Sequence, residues 1–155
     1  SAAWMLEYMK SKNFDPAFCR IGLGRFYDLA QEATVGMICS GTATLEAAYF
    51  GLPMLITYKV APLTWIAGKA LVRIPFLGMP NVLAARKIVP ELLQGDACAQ
   101  NLATGLQELL ENSTLRIAQQ QSFTEIIQSL GPTGAGMRAA GEVLRVFAQG
   151  HAQHA

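Results

Sequence analysis

The chain has 155 residues, 52% of them apolar, and its twelve lysines and arginines against eleven aspartates and glutamates leave a formal charge of +1. That length supports one compact domain with a proper core and is too short for two ordinary ones. A charge so close to zero removes the global field by which a protein gathers nucleic acid or another polyanion, so only a local basic patch would matter.

Ala2 to Lys12 reads as a helix already under way at Ser1, and with no initiator methionine the chain is expected to be truncated at its start. Asn13-Phe14-Asp15-Pro16 is a turn. Phe18 to Leu23 is expected to form a short strand ending in the Gly22-Leu23-Gly24 loop, and Arg25 to Ala33 a helix. Val35 to Cys39 is a continuous apolar run without alternation, the pattern of a parallel strand covered on both faces, and is expected at the centre of a sheet, with Cys39 as a buried small hydrophobe. Ser40-Gly41-Thr42 turns into a helix over Ala43 to Phe50, with Leu45, Ala48 and Tyr49 at helical spacing and Gly51 as its stop. Leu52 to Tyr58 is a second apolar strand.

Leu63 to Val72 is expected to be an amphipathic helix and Pro75 to Met79 a short strand or extended segment. The hydrophobic stretch Val60 to Met79 is broken by Pro62, Lys69, Arg73 and Pro75, which argues against a membrane-spanning helix. Trp65, Leu63 and Ile66 beside Lys69 and Arg73 are better read as packing against a sheet than as a membrane contact. Beyond Asn81 no further strand is expected. Glu91 to Gln94 reads as a short helix, and Ala99 to Glu111 carries Leu102, Leu106, Leu109 and Leu110 on one face. Ser113 to Leu130 and Gly136 to Gln149 read as two more amphipathic helices, the first with Ile126 and Ile127, the second with Val143, Leu144 and Phe147. Gly131 to Gly134 is a linker between them.

Strands alternating with helices predict an α/β fold with a Rossmann-like parallel sheet and a helical C-terminal tail. Residues 1–150 form the domain, and 151–155 a disordered tail. Three to four strands are few for a doubly wound domain, so its first strands are expected to be missing. Cys19, Cys39 and Cys98 are odd in number, with no CxxC pair or nearby histidine to indicate zinc or a disulfide framework, and fit a reducing compartment. His151 and His154, three apart in the tail, are a poor metal site.

The strongest chemical signal is Ser40-Gly41-Thr42-Ala43-Thr44-Leu45-Glu46 directly after an apolar strand. Small residues there let the backbone approach a ligand, and the N-terminus of the following helix offers unpaired N–H groups and its positive dipole end to a diphosphate. Glu46, one turn in, is placed to accept hydrogen bonds from both hydroxyls of a ribose. The alternative is a packing helix capped by Ser40 or Thr42, with Glu46 on a solvated face. The second signal runs from Leu77-Gly78-Met79-Pro80-Asn81 to Arg86, then Val89-Pro90-Glu91-Leu92-Leu93-Gln94. Asn81 could donate to a sugar or diphosphate, and Arg86 could offset leaving-group charge. Equally, Asn81 makes a turn and Arg86 pairs with Glu91 at the surface.

Ser-Gly-Thr-Ala-Thr-Leu-Glu-Ala at 40–47, Leu-Pro-Met at 52–54, the run Tyr58 to Thr64, Met79-Pro80-Asn81 and the run Ile88 to Gln94 are similar, in order and spacing, to lipid-A-disaccharide synthases. The resemblance is specific across Gly36 to Gln94 and is mainly one of pattern in the flanking helices. It implies a two-domain glycosyltransferase of the GT-B architecture, whose C-terminal domain, represented here, holds UDP-2,3-diacylglucosamine for transfer to 2,3-diacylglucosamine 1-phosphate with release of UDP. It further implies that Glu46 binds ribose, that Ser40, Gly41 and Thr42 bind the diphosphate, and that the Gly22-Leu23-Gly24 backbone binds uracil. Asn81, Arg86, Glu91 and Gln94 would lie on the donor-sugar or diphosphate side, with Asn81 and Arg86 positioning the donor and stabilising the leaving group. The general base is expected on the other domain, so this chain alone is expected to be inactive.

By the same resemblance the enzyme needs no redox cofactor or metal. It would be cytoplasmic and peripheral on the inner membrane of a Gram-negative bacterium, with no nucleic-acid partner. The chain departs from the family pattern at 85–87, where Ala85-Arg86-Lys87 replaces Gly-Arg-Glu, and lacks an upstream Gly-Ser-Arg loop. The competing readings are a UDP-N-acetylglucosamine 2-epimerase-like or other GT-B enzyme, and a non-catalytic nucleotide-binding α/β module.

Overall fold

The computed structural model describes residues 2–19, 21–62, 64–65 and 75–152. Helix α1 spans Ala2–Ser11, a 3-10 turn Pro16–Phe18, and helix α2 Phe26–Glu32. The strand expected at Phe18 to Leu23 does not form among the described residues: irregular backbone follows the 3-10 turn, and Phe18 and Leu23 are largely exposed, with no sheet partner to hold them extended.

Three strands form one parallel sheet in the order β1 (Gly36–Cys39), β2 (Met54–Tyr58), β3 (Glu91–Leu93). Gly36 stands opposite Met54, and Ile56 opposite Glu91. Helix α3 (Thr42–Tyr49) connects β1 to β2; its Ala47 and Ala48 are buried against the sheet, whereas Tyr49 is exposed. Gly51, at φ +67, lets the chain reverse into β2. On the same side of the sheet lie α4 (Met79–Ala84) and α6 (Ser113–Ser129). The core there is Ala30, Ala47, Ala48, Leu52, Met54, Ile56, Val89 and Phe123. Helix α5 (Ala99–Glu111) covers the other face, where Gly105 meets Leu55. Helix α7 (Ala135–Ala152) ends the described chain, taking in His151 and Ala152, which were expected to be disordered.

Three further expectations are corrected. β1 is an edge strand, not the central one: β2 occupies the centre, and every second residue of β1 faces solvent. Met37 is half exposed and Cys39 exposed, so Cys39 is not a buried hydrophobe. An apolar run without alternation can therefore be half covered. Second, the sheet does not stop before Asn81. Glu91 to Leu93, expected within a short helix over Glu91 to Gln94, are a strand: the residues favour helices, but pairing with β2, including Ile56 N donating to the Pro90 carbonyl at 2.8 Å, overrides that preference. Third, of the two forms expected for Pro75 to Met79, strand or extended segment, no strand forms: Gly78 is extended, at φ −79 and ψ 130, and Met79 opens a short helix with Pro80 in its first turn, a position that needs no N–H. The expected apolar face of α7 is present, but Val143, Leu144 and Phe147 are each about two-thirds exposed. Most of the expected Leu63 to Val72 helix lies outside the described residues; Thr64 and Trp65 are helical.

Two side chains fasten the layers through backbone groups. Gln119 of α6 is almost fully buried and grips Met54 at both ends: its Oε1 accepts from Met54 N at 2.9 Å and its Nε2 donates to Met54 O at 3.2 Å. Asn112 caps α6 by accepting from Leu115 N. At the end of α4, Ala85 sits at φ +51, in the left-handed region. The alanine thus stands where a glycine, which the resemblance implies here, would carry no steric cost. Ala85→Gly is expected to raise stability by about 0.5–1 kcal/mol, the steric relief outweighing the added chain entropy. The check is the urea midpoint at constant m-value; a lower midpoint would show that the strain is absent.

Candidate functional site

In parallel α/β sheets ligands bind beyond the carboxyl ends of the strands. At that edge Ser40 leaves β1, its N–H still donating to Thr57 O at 3.1 Å, and Gly41 takes φ +151, ψ −167, a conformation that side chains strongly disfavour. Helix α3 starts at once. Gly41 is its N-cap, and no side chain caps it, so neither Ser40 nor Thr42 plays that part. The backbone N–H groups of Thr42 and Ala43, in the first turn, have no carbonyl one turn back to accept them. Both Gly41 and Thr42 are exposed. Glu46, half buried on the same helix, has no hydrogen-bond or ion-pair partner among the described residues. The turn thus presents donors, and one helical turn away stands an acceptor without a partner.

The second group of residues meets this edge from behind. Glu91 projects from β3, and its Oε2 accepts from Leu77 N at 2.9 Å while Oε1 accepts from Gly78 N at 3.0 Å and from Asn81 Nδ2 at 2.7 Å. Leu77 O in turn accepts from Ser40 Oγ at 3.0 Å. Asn81 is fully buried; its Oδ1 accepts from Ile88 N and Val89 N, and its Nδ2 also donates to Val89 O. Gly78 permits this approach: a Cβ on it would stand 2.2 Å from Ile56 Cδ1 and 3.2 Å from Glu91 Oε1. Gln94, at φ +51 just past β3, binds the backbone of Val60 both ways, its Oε1 accepting from Val60 N and its Nε2 donating to Val60 O. Ser40 and Gln94 stand just past the carboxyl ends of β1 and β3, whereas Glu91 opens β3 and Asn81 binds the backbone just before it; Leu77 connects Glu91 to Ser40. The main-chain groups of Leu77 and Gly78, which link Ser40 to Glu91, and of Val60, which holds Gln94, carry no side-chain signature; only the glycine before Met79-Pro80 hints at the close approach.

Two sequence-predicted groups are not joined to this cluster. Arg86 follows α4 and precedes β3, at the amino end of the strands. It pairs with Glu125 at 3.2 Å and reaches Ser122 Oγ at 3.2 Å, both on α6, rather than pairing with Glu91. Beside it a cleft of about 350 Å³ is lined by Lys87, Pro90, Glu108, Gln119 and Ser122, again at the end remote from Ser40 to Thr42. Arg86→Gln is accordingly expected to change UDP affinity less than about twofold, and stability by no more than about 1 kcal/mol for so exposed a pair. A tenfold loss of UDP binding in calorimetry would restore Arg86 to the site. No hydrogen bond joins the Gly22-Leu23-Gly24 loop to residues 40–42 among the described residues. Tyr27, just beyond it, packs on Phe50 at the far end of α3, with ring centroids 5.3 Å apart.

These features define a Rossmann-like α/β domain with its candidate site at the carboxyl edge of a parallel sheet. The family model described as lipid-A-disaccharide synthetase matches residues 9–140, well beyond the stretch of closest motif resemblance. The chain belongs to that family. It is 40% identical over 126 residues to the lipid-A-disaccharide synthase of a Sulfurihydrogenibium species, a match covering 81% of this chain and 32% of that protein. It is 44% identical over 107 residues to that of Dechloromonas aromatica, covering 69% and 28%, and 37% identical over 123 residues to that of Geobacter sulfurreducens, covering 79% and 32%. The chain thus spans about a third of the length of the curated relatives it matches. Among the described residues no helix is long and apolar enough to cross a membrane.

Proposed function

We propose that this chain is the donor-binding part of a glycosyltransferase that forms the lipid A disaccharide, holding UDP-2,3-diacylglucosamine while the 6-hydroxyl of 2,3-diacylglucosamine 1-phosphate attacks the anomeric carbon and displaces UDP. The observation that carries the reading is the juxtaposition at the start of α3, where first-turn N–H groups that no side chain caps precede, by one helical turn, a carboxylate without a partner among the described residues. A diphosphate laid on the N–H groups and the positive end of α3 would bring a ribose within reach of Glu46. Because the Ser40 hydroxyl proton is engaged by Leu77 O, the phosphate donors in this reading are the backbone of Gly41 to Ala43 and the Thr42 hydroxyl. The Gly22-Leu23-Gly24 backbone remains the proposed uracil contact, and Gln94 borders the donor sugar. The general base lies on the partner domain of the complete enzyme, which also receives the lipid acceptor and meets the inner-membrane surface. Positioning and charge stabilisation on the departing diphosphate are what this domain contributes to the rate.

The test is calorimetric titration of the purified chain with UDP, UMP and uridine, alongside an assay of transfer from the UDP-sugar to the acylated sugar phosphate. Binding that strengthens from uridine to UDP, with no turnover by the isolated chain, is the expected outcome. Failure to prefer UDP over uridine would remove the diphosphate from the turn, and turnover by the chain alone would move the catalytic base into it.

A further inference from the structure

We propose that Glu91 and Asn81 are positioning residues for the nucleoside diphosphate, acting through Leu77 and Ser40 and making no contact with the ligand themselves. The inference rests on the reading of the Ser40 to Glu46 segment as the donor site. Its first support is saturation. An asparagine side chain offers two donor hydrogens and one carbonyl oxygen with two lone pairs; Asn81 spends both hydrogens, on Val89 O and Glu91 Oε1, and both lone pairs, on the N–H groups of Ile88 and Val89. Nothing is left for a sugar or phosphate, and the residue is fully buried.

The second support is the direction of the Glu91 carboxylate. It accepts three N–H donors, from Leu77, Gly78 and Asn81, and among the described residues no cation pairs with it. A carboxylate aimed at a bound diphosphate would repel it, whereas one spent on the loop behind the site does not compete. The bonds run on in one line: Asn81 orients Glu91, Glu91 fixes the Leu77-Gly78 backbone, and Leu77 O holds the Ser40 hydroxyl where β1 gives way to the ligand turn. Gly78 is part of the device, since any side chain there would strike Ile56. The strand β3 and the phosphate turn after β1 are thereby tied together across the intervening strand β2, which their own sheet pairing does not accomplish.

The experiment compares wild type with Glu91→Gln, measuring affinity for UDP-sugar, UDP and uridine by calorimetry and amide hydrogen exchange at Leu77 and Gly78 by NMR. Glutamine keeps the shape but sets an NH2 against an N–H donor. The expected result is a loss of about tenfold for UDP and UDP-sugar alike, the scale of one charge-assisted bond, with uridine unchanged and faster exchange at both amides. A loss confined to the UDP-sugar would make Glu91 a sugar ligand and overturn the proposal; so would unchanged UDP affinity once the two amides are released. Glu91→Asp, one methylene short of the loop, serves with the same readouts if Glu91→Gln does not fold. Wild type alone also decides: protection of Leu77 and Gly78 is expected to persist or rise on adding UDP-sugar, and a fall would show Glu91 leaving them for the ligand. If wild type binds UDP no better than uridine, the reading of the site itself has failed and this inference with it; any of the other adverse outcomes leaves that reading standing.

Discussion

Glu46→Gln is expected to weaken UDP binding by about 10- to 150-fold, the equivalent of the 1.5–3 kcal/mol carried by hydrogen bonds to a charged group. Glu46 is half buried on α3 and has no protein partner among the described residues, so the substitution breaks nothing inside the fold. Glutamine preserves the shape and replaces one acceptor oxygen by an amide donor, so a pair of ribose hydroxyls would lose one of its two acceptors. The matching control is 2′,3′-dideoxy-UDP, which lacks those hydroxyls. Wild type is expected to discriminate strongly against it, and the variant hardly at all. Binding of UDP within about twofold of wild type, a difference too small for such a contact, would sink the assignment, as would equal discrimination by both proteins.

Asn81→Leu is expected to show the largest loss of stability of any single side chain in the site region, about 3–6 kcal/mol. Leucine keeps the branching but is bulkier, so overpacking in this fully buried site adds to the loss of hydrogen bonds. It strands the Ile88 and Val89 N–H groups and the Val89 carbonyl beneath α4, where the surroundings are buried, and each unsatisfied buried group costs about 1–3 kcal/mol. Against a total stability of about 5–15 kcal/mol for an ordinary domain, that is enough to leave a substantial fraction unfolded. The neighbouring Val82→Ala, on a residue 46% exposed, is expected to cost about 1 kcal/mol or less. Urea unfolding of the two variants checks both values. An Asn81→Leu protein of near-normal stability that binds the UDP-sugar tenfold more weakly while binding UDP as wild type does would return Asn81 to the ligand's first contacts.

The same residue shows what the sequence could and could not convey. An amphipathic or apolar segment announces itself locally, and β1, α3, β2, α5 and α6 fall close to where composition and periodicity put them; α5 has the expected bounds. The turn after β1 was legible for a similar reason, since glycine and small polar residues between an apolar strand and a helix supply the backbone conformations a tight turn requires. β3 was not, because Glu-Leu-Leu is written for a helix and becomes a strand only through β2, more than thirty positions earlier in the chain. The exposure of Cys39 was equally hidden, since it depends on how much of each sheet face the helices cover. Asn81 defied a local reading most completely. Its four bonds go to backbone seven and eight residues on and to a carboxylate ten residues on, and no spacing rule encodes a side chain that serves main chain.

The outer edge of β1, unpaired among the described residues, invites association. Among the described residues no strand pairs with it, and the half-exposed Met37 and exposed Cys39 stand on the adjoining face. Such an edge is a template for strand addition, and nothing along its four residues carries the charge or proline with which proteins usually discourage it. Concentrated preparations of these 155 residues will tend to associate edge to edge and, under oxidising conditions, to lock that association through Cys39. Reducing agent and low protein concentration are therefore part of any binding measurement made on them.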